Sequence, residues 1–269
     1  MLAVATAWLA AVACSEFGAN DGAVLPDASP SADVALGDAP STEAAGDAGD
    51  AGPWCASQAA GARFCADFDN QDPIGFGFTE LIAEQGGQVV RDDSLSVSAP
   101  SSALAQIPDD AGGCAYAELL ETFPTAGAIH LGFSIRMGDI TTTLPEEEIV
   151  TRLEFSGTDG GAPCFVQLSE HPSGASLLAS TVGADAGTVL DQGLTRYATP
   201  GVWARYQIDI VPAPEGPTIS AQLDGKEAFA ATPLPKCAMG GTTSARVGLY
   251  CQHGPAKELR LDNIVFDDK

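Results

Sequence analysis

Basic side chains are scarce in this sequence: 12 Lys and Arg stand against 36 Asp and Glu, a formal net charge of −24, and no Lys or Arg precedes Arg63. A phosphate backbone needs a basic face, so a nucleic-acid partner is excluded. Histidine is equally thin, and His130, His171 and His253 are too far apart for metal-ligand spacing. No Cys-x-x-Cys pair, Gly-x-Ser-x-Gly elbow, His-Glu-x-x-His motif or phosphate-cradling glycine loop occurs. Those absences remove the zinc-ribbon, thioredoxin, serine-hydrolase, zincin and nucleotide-binding readings. Long Leu/Glu/Lys/Arg helical runs are missing too, whereas 30 Gly and 18 Pro supply turns. In 269 residues this composition points to an all-β protein with length enough for a sizeable core.

The chain divides by composition. Residues 1–14 are apolar and uncharged and end Ala11-Val12-Ala13-Cys14. The segment is too short to span a bilayer and fits the apolar region of a secretory signal. Its ending resembles a lipobox, with Ala11 where leucine is commonest and without the basic leader that precedes such a region, so the expectation is a lipid-modified Cys14. An ordinary buried N-terminal segment with a core cysteine is the alternative. Ser15, where an inner-membrane retention signal has Asp, makes the outer membrane or cell surface the expected address. Residues 15–53 are rich in Ala, Gly, Asp, Ser and Pro, with phrases such as Gly46-Asp47-Ala48-Gly49-Asp50-Ala51. They have little apolar area to bury and mutually repelling charges, which predicts a disordered acidic tether. A folded domain is expected over 54–269.

Seven cysteines are present; setting Cys14 aside leaves an even six, as expected of disulfides made in an oxidising compartment. Fifteen pairings are open to six cysteines. Proximity favours Cys55–Cys65 and Cys237–Cys251, and elimination then leaves Cys114–Cys164.

Period-2 alternation dominates from Trp54 on. In Ala128 to Met137 the residues Ile129, Leu131, Phe133, Ile135 and Met137 share one face. Between Val202 and Val211, Val202, Ala204, Tyr206, Ile208 and Ile210 oppose Trp203, Arg205, Gln207 and Asp209. Glu148 to Phe155 puts Ile149, Thr151, Leu153 and Phe155 inward and Glu148, Arg152 and Glu154 outward. Strands are also expected at Phe64–Asp69, Gln88–Arg91, Ser94–Val97, Ser101–Ile107, Pro163–Glu170, Ser176–Val182, Arg246–Cys251 and Leu259–Phe266, while Cys114 to Phe123 reads as strand or short helix. Thr218 to Leu223 runs into Asp224-Gly225, a strong hairpin signal. About a dozen strands without a convincing helix predict a sandwich or barrel.

Three stretches, in this order, resemble the concanavalin A-like lectin/glucanase jelly rolls. Phe64-Cys65-Ala66-Asp67-Phe68-Asp69 looks like the acidic-aromatic first strand of the laminarinase type. Gly201-Val202-Trp203-Ala204-Arg205-Tyr206 followed by Ile219-Ser220-Ala221-Gln222-Leu223-Asp224-Gly225 looks like its Trp strand and hairpin, and Leu259 to Phe266 looks like its closing strand. The resemblance covers about residues 62–269 and implies an all-β, two-sheet antiparallel jelly-roll sandwich with a glycan-binding groove. Hydrolases of this kind carry Glu-x-Asp-x-Glu, which puts two carboxylates on one face to flank a glycosidic bond. Glu146-Glu147-Glu148-Ile149-Val150-Thr151-Arg152-Leu153-Glu154 lacks it, because Val150 and Arg152 stand where acids are required. Members of the fold often hold a structural calcium, and Asp67, Asp69 and Asp262 match its place; the alternative is that they bond the nearby backbone. As glycan-binding residues the candidates are Trp203, Arg205 and Gln207 on one strand and Arg152 and Glu154 on another, with Trp203 as plain packing the alternative. The expected function is a membrane-tethered, monomeric and non-catalytic domain that binds a glycan or another cell-surface partner. A divergent glycoside hydrolase or polysaccharide lyase is one alternative, and a structural envelope lipoprotein another.

Overall fold

The computed structural model describes residues 54–109, 113–124, 127–138, 148–157, 163–171, 173–182, 187–235, 237–252 and 254–268. Cys14, the acidic stretch of residues 15–53, Glu146, Glu147 and His253 lie outside the described residues. A five-residue helix, α1 (Trp54–Gln58), leads into β1 (Phe64–Ala66), β2 (Glu80–Glu84), β3 (Gln88–Asp92), β4 (Ser102–Ile107) and β5 (Ala115–Pro124). Next come β6 (Ile129–Met137), β7 (Glu148–Gly157), β8 (Cys164–His171), β9 (Gly174–Thr181) and β10 (Gly187–Gly193). The chain closes with β11 (Ala204–Val211), β12 (Thr218–Leu223), β13 (Lys226–Pro233), β14 (Gly240–Gln252) and β15 (Lys257–Asp267).

Among the described residues these strands form two antiparallel sheets. The eight-stranded sheet runs β13-β12-β11-β6-β15-β4-β3 with β1 on β15, and the seven-stranded sheet runs β10-β9-β8-β7-β14-β5-β2. Alternation is what builds them. Ile129, Leu131, Phe133, Ile135 and Met137 of β6 and Ala204, Tyr206, Ile208 and Ile210 of β11 all point into the core. Leu153 and Phe155, Val166 and Leu168, Leu177 and Ala179, and Val247 and Leu249 meet them from the seven-stranded sheet. Each fully buried side chain of this size contributes about 1.5–3 kcal/mol, so the two inner faces hold the sheets together.

Asp224 (φ 51°) and Gly225 (φ 70°) make the hairpin between β12 and β13, the left-handed pair that an Asp-Gly turn supplies. Cys114 to Phe123 resolves as the strand β5, whereas Ser94 to Val97 is a bend and not a strand. Val202 is exposed in the turn before β11. In β7 the expected faces hold only from Thr151 onward. A register shift between Ile149 and Thr151 turns Glu148 and Val150 inward and leaves Ile149 half-buried on the other side.

The disulfides are Cys55–Cys65, Cys114–Cys251 and Cys164–Cys237. Only the first was expected from proximity; Cys237–Cys251 and Cys114–Cys164 are not formed. The reason is extension. β14 is 13 residues long, and such a strand separates its ends by about 40 Å, so Cys237 before it and Cys251 near its end cannot meet. Antiparallel pairing instead sets Gln252 against Ala115, which brings Cys251 to Cys114 on the neighbouring strand. Three disulfides are what a domain folded in an oxidising, extracytoplasmic compartment carries. Among the described residues no helix is long and apolar enough to cross a membrane.

Candidate functional site

The outer face of the seven-stranded sheet carries a compact cluster of charged and aromatic side chains. β5 lies between β2 and β14, and β14 lies between β5 and β7. Cross-strand register places Leu120, Arg246, Arg152 and Gln167 in one row over β5, β14, β7 and β8. Two guanidiniums therefore stand directly opposite each other, an arrangement that costs stability between like charges. One register step along β5 and β14, Glu118 faces Gly248, and beyond them on the same face come Tyr116 and Tyr250.

Arg152 is anchored by Glu154 and Tyr250. Its Nε donates to Glu154 Oε1 at 2.8 Å and its Nη1 to the Tyr250 hydroxyl at 2.9 Å. The guanidinium carbon lies 4.2 Å from the Phe165 ring centroid and 5.0 Å from that of Tyr250. Tyr116 meets Tyr250 edge to face at 5.3 Å. The Tyr116 hydroxyl is 3.0 Å from Cys114 Sγ, which carries no proton in a disulfide and so accepts. The chain is shaped to hold Tyr250: Cys251 has φ 50° at a bulge in β14. Gln252 donates to the Tyr250 carbonyl at 2.9 Å and accepts from the buried Lys257 ammonium at 2.9 Å.

Glu118 lies beneath this layer, fully buried. Its Oε2 is 3.7 Å from Arg246 Nη1, too long for a hydrogen bond, and neither carboxylate oxygen has a hydrogen-bond partner; Arg246 Nε has none either. Burial pushes the Glu118 carboxyl up to about 7, against the downward pull of Arg246 and Arg152. Burial, then Tyr250 and Glu118, push the Tyr116 phenol above its ordinary range.

The residues named as glycan-binding candidates fall on two faces. Arg152 and Glu154 belong to the cluster just described. Trp203, Arg205 and Gln207 stand on the outer face of the eight-stranded sheet, on the far side of the sandwich. There the Arg205 guanidinium lies 5.0 Å from the Trp54 ring and donates to the Asn263 carbonyl at 3.1 Å. It crosses β6 where Gly132 leaves room, since a Cβ there would come within 2.9 Å of Arg205 Nη2. Arg205 thus fastens the N-terminal helix to the sheet. Trp203 is half-buried beside it, at a shallow hollow of about 390 Å³ that Trp54, Gln58 and Asp224 also line, and Gln207 donates to Asp209 at 3.0 Å.

Asp67, Asp69 and Asp262, the three acids expected at a calcium ion, which takes six to eight oxygens, stand near one another, and Asp69 Oδ1 is buried without a hydrogen-bond partner. Asp67 accepts from the Cys55 and Asp69 amides. Asp262 accepts from the amides of Val97, Ser98 and Asn263, and burial pushes it up to about 6. Among the described residues no three His, Cys, Asp or Glu are grouped to hold a metal.

Tyr116, Glu118, Arg246, Tyr250, Phe165 and Gln167 had not been singled out in the sequence. The signal that could have found them is charge and aromaticity at outward positions: Arg246 and Tyr250 alternate with Val247 and Leu249, as Tyr116 and Glu118 do with Ala117 and Leu119.

Sequence comparison finds no matching family model and no match among curated proteins. Solved structures match by fold. The endo-β-1,4-glucuronan lyase of the fungus Trichoderma reesei superposes with a TM-score of 0.60 at 13% identity, over 77% of this chain and 96% of that one. An alginate lyase of polysaccharide lyase family 7 gives a TM-score of 0.47 at 13% identity over 65% of this chain and 83% of that one. The receptor-binding domain of botulinum neurotoxin type G gives 0.47 at 10% identity over 77% and 48%. The fold is a two-sheet antiparallel β-sandwich, shared with that glucuronan lyase.

Proposed function

We propose that the outer face of the seven-stranded sheet binds an acidic polysaccharide, a uronate, and cleaves it by β-elimination. The observation that carries this reading is the register pair Arg246–Arg152. A chain with so few basic residues holds two of them opposite each other at the centre of a face, with Glu154 at 2.7 Å from one and Glu118 only at 3.7 Å from the other, a pair to which a bound carboxylate would be drawn. Tyr116, Tyr250 and Phe165 add ring faces on which a sugar can stack.

The same residues suit elimination better than hydrolysis. Hydrolysis needs two carboxylates flanking the bond, but Glu118 is fully buried and Glu154 is paired with Arg152. In elimination, Arg152 and Arg246 hold the sugar carboxylate and offset the charge that builds as the proton on the adjacent carbon leaves. Tyr250 enters as the phenolate, having given its own proton to water, and takes the sugar proton on the oxygen that accepts from Arg152. The bond from the β-carbon to the glycosidic oxygen breaks, a carbon–carbon double bond forms, and Tyr116, kept protonated by its surroundings, returns a proton to the departing oxygen. The likeness to a glucuronan lyase makes polyglucuronate the first substrate to try. Incubation with polyglucuronate, alginate and neutral laminarin, followed by the ultraviolet absorbance of unsaturated ends, tests the reading. Product from a polyuronate and none from laminarin is expected; binding without product would leave recognition alone, and neither would overturn the proposal.

Lipid attachment at Cys14 would hold this domain at the cell surface on the acidic stretch of residues 15–53. A single acyl chain binds membranes marginally, so stable attachment calls for more than one.

A further inference from the structure

Glu118 has no part in the chemistry above, yet its placement is unusual. It is fully buried on the same strand face as Tyr116, and neither carboxylate oxygen has a hydrogen-bond donor. Its cross-strand neighbour Gly248 offers no side chain; a Cβ there would come 2.3 Å from the Ala117 carbonyl oxygen, so the position is confined to glycine. Ile82 is its neighbour on the other side, on β2, between Glu80 and Glu84 on that face. On β14 it lies beside Arg246, and from β7 it feels Arg152 and Glu154; Tyr116 on its own strand feels it in turn. Of these groups only the two arginines favour an ionised Glu118, and they are the same guanidiniums that the uronate reading assigns to the ligand.

We propose that Glu118 is a positioning residue that couples ligand charge to proton uptake: an anionic sugar seated on Arg152 and Arg246 draws a proton onto Glu118, and the face binds such ligands more tightly in mildly acidic surroundings. The inference rests on the uronate reading and adds its regulation. The physics is competition for one pair of cations. A sugar carboxylate brings a negative charge beside the cluster and turns Arg246 toward itself, and each change raises the cost of a second, buried carboxylate that has no hydrogen bond. With its carboxyl pushed up to about 7 by burial, Glu118 is partly ionised near neutrality and takes the proton from water. A neutral Glu118 leaves the guanidiniums free for the ligand. An ionised one holds Arg246 back.

The test is calorimetric titration of the full chain with an oligoglucuronate, in a Tyr250→Phe background so that ligand is bound and not cleaved. Sugar carboxylates stay ionised above about pH 6, so they add no slope. Between about pH 6 and 8.5 the affinity is expected to fall with rising pH, by up to about tenfold per unit, and binding enthalpies in buffers of different ionisation heat are expected to report proton uptake. Adding Glu118→Gln, which stands in for the protonated acid, is expected to flatten the profile and to bind several-fold more tightly at the alkaline end. The proton-uptake measurement needs no substitution at Glu118, so it decides the matter even if Glu118→Gln folds poorly. An undiminished pH slope in Glu118→Gln, or binding without proton uptake, overturns this inference alone. Failure of any uronate to bind at any pH overturns the uronate reading first.

Discussion

Arg152 and Tyr250 are joined twice: the guanidinium donates to the phenolic oxygen at 2.9 Å, and its carbon lies 5.0 Å from the centre of the same ring. Phe165 closes the other side at 4.2 Å. The cation is thus fixed in orientation by two rings and by Glu154 in place of being a mobile surface charge, as the uronate reading requires of a carboxylate receptor.

Removing that cation should weaken uronate binding. Arg152→Ala loses a charge-assisted contact of about 1.5–3 kcal/mol, or roughly a tenfold to hundredfold rise in Kd. Arg152→Lys keeps the charge but not the planar stacking between Phe165 and Tyr250, so it should recover little of the loss. Calorimetric titration with oligoglucuronate checks both, and unchanged affinity in Arg152→Ala would remove the residue from the site.

Tyr250→Phe separates binding from chemistry. The ring and its contacts with Tyr116 and Arg152 stay, while the hydroxyl that accepts from Arg152 goes. Affinity should change by no more than a few-fold, and formation of unsaturated ends should drop by on the order of 10²–10⁴. Equal activity in the variant would move the base elsewhere.

Stability should fall as the pH rises toward neutrality. Inside the sandwich Glu148 and Glu170 face each other across β7 and β8, and Tyr206 donates its hydroxyl to Glu170 from the opposite sheet. Burial pushes the Glu170 carboxyl up to about 7. A group raised above its unfolded value stabilises most below the unfolded pKa, near 4.3, and loses that contribution as the pH passes through 7. For Glu170 this is on the order of 3 kcal/mol, and Glu118 and Asp262 act in the same direction. Denaturant midpoints for wild type and Glu170→Gln measure it. The wild-type midpoint should fall between acidic and alkaline pH, with a smaller fall in the variant; a midpoint that rises with pH contradicts the assignment.

Much of this architecture was legible from alternation. β6 and β11 bury the residues that their period-2 pattern selects, and Asp224-Gly225 turns the hairpin as its residue types require. What alternation could not supply was register. The shift at Ile149 and Thr151 exchanged Glu148 for Ile149 between faces, and no local pattern announces such a bulge. Long-range pairing was equally silent: Tyr116 and Tyr250 are far apart in sequence and meet because β14 pairs with β5. Arg152 and Arg205 both read as outward residues, yet their strands belong to different sheets, which put the two arginines on opposite sides of the sandwich. Cysteine proximity succeeded only within the short loop from Cys55 to Cys65 and failed wherever a strand intervened.

Peptide mapping without reduction should therefore recover Cys114–Cys251 and Cys164–Cys237. Replacing Cys114 and Cys251 together by Ala should cost roughly 2–4 kcal/mol and loosen the ends of β5 and β14 that carry the two tyrosines. Peptides linking Cys237 to Cys251 would contradict the β14–β5 register.

Cys14→Ser bears on placement. If Cys14 carries lipid, the variant should leave the membrane fraction for the soluble one; a variant that stays with membranes removes Cys14 as the anchor.

Footprinting a bound oligoglucuronate separates the two faces of the sandwich outright. Hydrogen-exchange or carboxyl- and arginine-labelling protection is expected over β5, β14 and β7, at Tyr116, Arg246, Tyr250 and Arg152, with Trp203 and Arg205 unchanged. Protection centred on Trp203, Arg205 and Gln207, with Arg152 and Arg246 left reactive, would contradict the assignment of the seven-stranded sheet as the binding face.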